Sequence, residues 1–339
     1  MAFTDFLNLF HLPVFGWVLV EVSSRCTALC TYCPHTVFKD IWEDRLMDLD
    51  TFRRLVPVFK KSGLVYLQGW GEPFLNPHFF DMVNIARECG CRVGTSTNGM
   101  LLDDSKILRI IDSGLDLLAF SLAGTGASND NLRRGTELKK IIEVIGKINA
   151  RKKETGSVKP DIHIAYLLLK SRLDEVEHLP ELIDNLGISQ VVISTLDFIP
   201  DEKLALETIA PQNRVEYDAI KIRLDRVVME AARMGTSIFY NLYNPDHTRQ
   251  FCTENIQHSM FVASDGTVSP CVFLNLPMTR PVLENKRGET IYRRVEFGNI
   301  HSRSPVAIWN SREYGRFRRG FMTGKPDQFC RACPKMRIG

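Results

Sequence analysis

No stretch of this 339-residue chain approaches the run of about 18 apolar residues that crosses a bilayer. The densest run, from Val14 to Val20, is interrupted by Gly16 and has the length of a strand. An excess of one charge is missing too. The 43 basic residues stand against 40 acidic ones, a net of +3, which gives no argument for a nucleic-acid or membrane surface. Residues 1–13 are apolar but carry Asp5 and no basic stretch, which excludes a secretory signal. Low-complexity tracts and internal repeats are absent by inspection. A hydrophobic content of 44% with 24% charged residues excludes a disordered chain. The chain is expected to be soluble and cytoplasmic, and its length suggests two or three folding units at about 150 residues each.

Cysteine is what the sequence has in unusual form. There are nine, an odd number, and most are grouped. In a chain without an export signal, grouped cysteines point to reduced thiols that hold metal rather than to a disulfide framework.

Strand and helix patterns alternate over the first two thirds of the chain. Short apolar or β-branched runs stand at 17–22, 64–68, 92–96, 116–121, 161–169 and 190–195. Between them lie amphipathic stretches at 50–61, opening on an Asp cap, and at 77–88, 104–113, 137–152 and 175–186, with a longer one at 213–234. Six βα units in a row predict a parallel sheet, closed as a partial (β/α)6 barrel or open, because parallel neighbours need crossover helices. Past Gly235 helix periodicity fades and turn dipeptides appear (Asn244-Pro245, Asp265-Gly266). The expected division is therefore an α/β core over 14–234 and a smaller, metal-dependent unit over 235–339.

Cys26, Cys30 and Cys33 form a C-x3-C-x2-C segment just after the first strand. Structural zinc sites want four closed ligands, usually in C-x2-C arms, and this spacing is unusual for them. A [4Fe–4S] cluster held by three thiolates leaves one iron open for chemistry. His35 reads as a loop histidine, since the Cys33-Pro34 step turns the chain away. The plain alternative is three unliganded core thiols.

With an aromatic residue, Tyr32, directly before its last cysteine, and placed after strand one of a six-fold βα repeat, this segment resembles the radical S-adenosylmethionine (SAM) superfamily. The resemblance implies that SAM chelates the open iron. Reduction of the cluster by an external ferredoxin- or flavodoxin-like donor would then split the sulfonium C–S bond. The 5′-deoxyadenosyl radical so formed would abstract a hydrogen atom from a substrate.

Other motifs fall at the ends of the following strands. Gly69-Trp70-Gly71-Glu72-Pro73 is similar to the family's G-G-E-P segment, with Trp70 as the departure, and the resemblance makes Gly69, Trp70, Gly71 and Glu72 cofactor contacts. On its own such a segment is a turn. Thr95-Ser96-Thr97-Asn98-Gly99 and Ser121-Leu122-Ala123-Gly124 end strands three and four. By the same resemblance Tyr32, Thr97, Asn98 and Ser121 are candidates for cofactor contacts. Arg134 matches an arginine that pairs with the cofactor carboxylate. The plain alternative for Arg134 is a solvated arginine beside Arg133 at a helix start. Many relatives carry an acid where this chain has Ala123.

Cys252, Cys271, Cys330 and Cys333 give C-x18-C-x58-C-x2-C, and four cysteines permit a closed thiolate site. Asp265-Gly266 is a hairpin-like turn that would deliver Cys271 to it. Only Cys330 and Cys333 form a C-x2-C pair, which makes zinc the second choice. This region, with Phe297-Gly298-Asn299-Ile300 and Trp309-Asn310-Ser311, resembles the SPASM/twitch extension of the same superfamily. That resemblance implies one auxiliary [4Fe–4S] cluster. Cys89 and Cys91 flank Gly90 at a helix end and read as small apolar residues.

The expected activity is reductive cleavage of SAM and hydrogen abstraction from a small-molecule or cofactor-precursor substrate, assisted by the auxiliary cluster. The 25 residues before Cys26 are too few for the leader-binding module of peptide-modifying relatives, which favours the small substrate. Two alternatives stand beside it: a peptide- or protein-modifying maturase, and a non-catalytic metal-binding or electron-transfer protein. Asp197, just past the sixth strand, is a candidate proton acceptor, with a plain loop aspartate as the alternative. No nucleic-acid or membrane partner is expected.

Overall fold

Val18 and Val20 alternate with Leu19 along the first strand, and this period of two sets the two faces of the sheet. Val18, Val20, Val65, Leu67 and Val93 are fully buried under flanking helices. Burial of each such side chain contributes about 1.5–3 kcal/mol. Leu19, Ala165, Leu167 and Ser194 point to the other, concave face and line a cavity.

The computed structural model describes residues 14–246, 250–277, 280–285, 288–292, 294–331, 333 and 335–338. Segment 1–13, expected not to be an export signal, lies outside them. Among the described residues the main sheet has ten strands. They are β1 (Trp17–Val20), β2 (Leu64–Leu67), β3 (Arg92–Thr97), β4 (Leu117–Leu122), β5 (Asp161–Leu168), β6 (Gln190–Thr195), β7 (Ser237–Tyr240), β8 (Ser259–Val262), β9 (Thr267–Ser269) and β10 (Gly298–Asn299). Their spatial order is β10-β9-β8-β1-β2-β3-β4-β5-β6-β7. Pairing is parallel from β8 through β7, while β9 and β10 are antiparallel. The six expected strands thus lie side by side in chain order, as an α/β partial barrel requires. The same sheet continues past residue 235 on both flanks, through β7 on one side and β8 on the other.

Crossover helices include α1 (Phe79–Glu88), α2 (Asp104–Asp112), α3 (Leu138–Thr155) and α4 (Arg214–Arg233). Asp103 and Asn213 cap α2 and α4 by accepting from the backbone N–H three residues on. Two expected helices come out broken. The 50–61 stretch is two short helices, Leu49–Arg53 and Val56–Phe59, because Pro57 cannot supply the hydrogen bond that would join them. Its cap is Asp48, which accepts from Thr51 N at 2.7 Å. The 175–186 stretch is a 3-10 turn, Glu175–His178, followed by Leu179–Ile183 with Pro180 in its first turn. The C-terminal unit, expected to lack helix periodicity, carries α5 (Arg312–Met322). It buries only Tyr314, Gly315 and Phe317, a stripe too narrow to read in the sequence. Among the described residues no helix is long and apolar enough to cross a membrane.

Candidate functional site

The C-terminal ends of the parallel strands carry the candidate residues, because every βα loop opens at that edge of the sheet. The loop after β1 holds Cys26, Cys30 and Cys33. Leu29 and Cys30 form a two-residue ribbon with Arg133 and Arg134, in the register Cys30 to Arg133 and Leu29 to Arg134. Successive residues of such a ribbon face opposite ways. Arg133 is accordingly buried, with Nη1 donating to the Tyr32 hydroxyl at 2.8 Å, while Arg134 is exposed. The side chain turned toward Tyr32 is that of Arg133, whereas Arg134, the expected carboxylate partner, is turned to solvent. The sequence offered no way to choose between neighbours, since the face depends on a partner strand about a hundred residues away.

The three thiols influence one another electrostatically. Burial first, and then the Glu72 carboxylate and the Cys30 sulfur, push Cys26 up to about 11; burial and then the sulfurs of Cys30 and Cys26 push Cys33 up to about 12. Asn98 Nδ2 lies 4.0 Å from Cys26 Sγ and donates to Thr27 Oγ1 at 3.3 Å, so the loop after β3 meets the cysteine loop directly. His35 sits in the short helix Pro34–Val37, with Nε2 3.3 Å from Asp44 Oδ1.

Gly69 and Gly71 are needed for close approach. A Cβ on Gly69 would stand 2.2 Å from Glu21 Cγ, and one on Gly71 would stand 2.4 Å from Ser23 O and 2.5 Å from Arg25 O. The turn after β2 is thereby pressed onto the start of the cysteine loop, and Glu72 N donates to Arg25 O at 2.8 Å. The buried Glu72 carboxylate accepts from Thr97 Oγ1 (2.8 Å), Asn98 N (2.8 Å) and Phe74 N (3.2 Å). Burial raises it above the ordinary glutamate value, against those hydrogen bonds. Glu72 and Thr97 therefore pin one loop to the next, and both acceptor oxygens of Glu72 are already engaged.

A cavity of about 360 Å³ opens beside this constellation. Tyr32, Cys33, Gly69, Trp70, Ser121 and Arg133 line it from the barrel, with Asp197 beyond β6. Glu254, Val272, Phe273 and Lys335 line it from the C-terminal unit. Asp197 is not isolated: Lys335 Nζ lies 3.2 Å from its Oδ2 and 3.0 Å from Glu254 Oε1. Burial pulls the Lys335 ammonium down, and the two carboxylates more than offset it, so it stays protonated. Sequence reading missed Glu21, Arg133, Glu254 and Lys335. Of these, Lys335 alone carried a local signal, its place two residues after Cys333.

Cys252, Cys271 and Cys330 gather in a separate apolar cluster with Ile256, Leu274 and Phe317, and Cys333 lies within electrostatic reach of Cys271. The β8–β9 hairpin, turning at Asp265-Gly266, leads into Cys271 as expected. Burial, then nearby charges, push Cys252 up to about 12 and Cys333 up to about 11. Thiols so buried bind metal only with release of their protons. Among the described residues, no three His, Cys, Asp or Glu side chains are drawn in around a point at single-ion distance. Cys89 and Cys91 stand apart from both sets, and Cys91 Sγ donates to Phe59 O at 3.0 Å.

Whether this mouth suits a charged cofactor can be tested on Arg133. Its guanidinium is buried among thiols and a phenol, and its Nε has no hydrogen-bond partner among the described residues. A buried cation left partly unpaired fits a site that an anionic group completes. The residues fit.

Residues 20–159 match the family model of the radical SAM superfamily, and residues 252–334 match that of SPASM, an iron–sulfur cluster-binding domain. The chain is 27% identical over 310 residues to the tungsten-containing aldehyde ferredoxin oxidoreductase cofactor-modifying protein of Pyrococcus furiosus, covering 89% of this chain and 83% of that one. It is 22% identical over 327 residues to PqqA peptide cyclase of Gluconobacter oxydans, covering 94% and 82%. Among solved structures, SuiB of Streptococcus suis bound to S-adenosylmethionine has the same fold, with a TM-score of 0.67 at 14% identity over 93% of this chain and 70% of that one. SuiB has also been solved bound to its precursor peptide SuiA.

Proposed function

Because this chain belongs to the radical SAM superfamily and carries a SPASM domain, we propose that it cleaves SAM reductively and abstracts a hydrogen atom from a small-molecule or cofactor-precursor substrate. When bound, the cluster and SAM supply a 5′-deoxyadenosyl radical as the hydrogen abstractor. Cys26, Cys30 and Cys33 provide the three thiolates of that centre. The backbone of Gly69 to Gly71 and the Asn98 loop form the rim around it. Arg133 offers its free Nε–H to a carboxylate, and Ser121 offers a hydroxyl across the cavity. Cys252, Cys271, Cys330 and Cys333 hold the auxiliary cluster.

The observation that carries this reading is the gathering of the three thiols around a partly unpaired, buried Arg133, with Cys33 and Arg133 lining one cavity. The cavity, at about 360 Å³, has the size of a small-molecule pocket. The cofactor-modifying relative from Pyrococcus furiosus supports the substrate class. The peptide cyclase and the peptide-bound SuiB support a second reading, in which the substrate is a peptide.

Anaerobic reconstitution should load about eight irons per chain, and replacing Cys26, Cys30 and Cys33 together by Ala should leave about half. With dithionite and SAM, the reconstituted protein should release 5′-deoxyadenosine slowly. A cell extract should accelerate that release even after exhaustive protease digestion. Stimulation abolished by the protease would replace the small substrate with a peptide. No 5′-deoxyadenosine from fully loaded protein would overturn the radical reading itself.

A further inference from the structure

The turn after β2 carries one large side chain between two glycines that tolerate none. Gly69 and Gly71 press inward on Glu21 and on the backbone of Ser23 and Arg25. Trp70 reaches across to the C-terminal unit. Its indole Nε1 donates to the Val272 carbonyl at 3.2 Å, 202 residues further along the chain. Its ring meets Phe273 edge-on, with centroids 5.2 Å apart at 88°. Val272 and Phe273 directly follow Cys271. The same Phe273 ring lies 5.0 Å from Lys335 Nζ, two residues after Cys333.

Glu21 makes a second link of the same kind. Its Oε1 accepts from Trp70 N at 3.0 Å. Its Oε2 accepts from Ser264 N at 3.3 Å and Ser264 Oγ at 3.2 Å, in the turn between β8 and β9. The Gly69–Glu72 turn is thus held from one side by β1 and from the other by the segment that carries Cys271.

We propose that Trp70 is a positioning residue through which the auxiliary centre sets the affinity for SAM. The Cys271 segment fixes the indole, and the indole fixes the turn in the form that receives the cofactor. With the indole unanchored, a turn built on two glycines samples other backbone forms. The apparent affinity then falls by the fraction of molecules in the receptive form. The proposal rests on the reading that this turn binds SAM.

The test is SAM affinity, measured by equilibrium dialysis on anaerobically reconstituted protein, in a cycle of Trp70→Gly and Phe273→Ala. Iron content and circular dichroism are recorded for each variant. Each single change is expected to weaken binding roughly 10-fold, and the double to be within about 2-fold of either single, as for two residues acting through one contact. Trp70→Phe, which keeps a ring against Phe273, should recover most of the affinity lost in Trp70→Gly. Cys330→Ala, which removes a thiolate of the auxiliary set, should weaken binding in the Trp70 protein but not in the Trp70→Gly background. The change that SAM causes in the reduced cluster's paramagnetic resonance spectrum should follow the same order. Additive losses, about 100-fold in the double variant, overturn the coupling, as does undiminished SAM affinity in Phe273→Ala. If Phe273→Ala does not fold, the Cys330→Ala and Trp70→Gly pair is judged by the same criterion. If the unmodified protein binds no SAM at all, the underlying functional reading fails instead.

Discussion

Arg133 is buried, bonded to the Tyr32 hydroxyl and short of a partner at Nε, whereas Arg134 projects into solvent from the next position. A hydrogen bond from a charged donor contributes about 1.5–3 kcal/mol, or roughly 10- to 100-fold in affinity. Arg133→Met should therefore weaken SAM binding by at least about 10-fold. Arg134→Ala should change it by less than about 2-fold, as for a solvated side chain. Equal losses in the two variants, measured by equilibrium dialysis, would show that the ribbon register does not decide the matter. The Glu72 oxygens take the Thr97 hydroxyl and two backbone N–H groups, which holds the β2 and β3 loops together.

Among the elements, loops at the strand ends do the positioning, and glycine shows where they are tight. Gly71 meets backbone oxygens of the cysteine loop that cannot move aside without shifting the loop itself. Gly146, by contrast, is an exposed position inside α3 with nothing within 4 Å of an added Cβ. Gly146→Ala should stabilise the protein by about 0.5–1 kcal/mol, since alanine loses less backbone entropy in a helix. Gly71→Ala should destabilise it by about 1–3 kcal/mol, the cost of overpacking, and lower the iron retained at the first centre. Denaturant midpoints and iron content of the two variants, measured together, check both signs. Element type was legible wherever the apolar period was long, as in α3 and α4. It failed where a proline sat inside an apolar pattern, at Pro57 and Pro180. It failed again in α5, where solvent-facing arginines outnumber the buried Tyr314 and Phe317.

At the scale of the molecule, the C-terminal unit is joined to the barrel by sheet and by charge. β8 pairs with β1 in parallel, and Lys335 bridges Asp197 of the barrel to Glu254 beside Cys252. Both carboxylates are largely buried, with side-chain exposures of 5% and 20%. Removing the cation between them leaves buried charge without that partner, a loss of about 3–5 kcal/mol. Lys335→Met is accordingly expected to lower the denaturant midpoint of the loaded protein, and adding Asp197→Asn should recover part of the loss. A Lys335→Met protein as stable as the parent would remove this bridge from the interface.

Cysteine spacing, the order of βα units and the glycine-rich turn after β2 are local properties, and the chain wrote them in consecutive residues. From them the barrel could be read, and the family resemblance they carry implied both iron–sulfur regions, because strand alternation and C-x3-C-x2-C spacing need no knowledge of distant partners. Three things were decided only by the folded chain. Arg133 rather than Arg134 faces the cysteines, because the ribbon with Leu29 and Cys30 assigns alternate side chains to opposite faces. Glu21 belongs to the rim, because β1 lies between β2 and β8 and so brings Trp70 and Ser264 to one carboxylate. Asp197 faces a lysine, because the last residues of the chain return to the barrel mouth. Each depends on pairing between segments far apart in sequence, and such pairing is fixed by which faces the whole core buries, a property no window of the sequence contains.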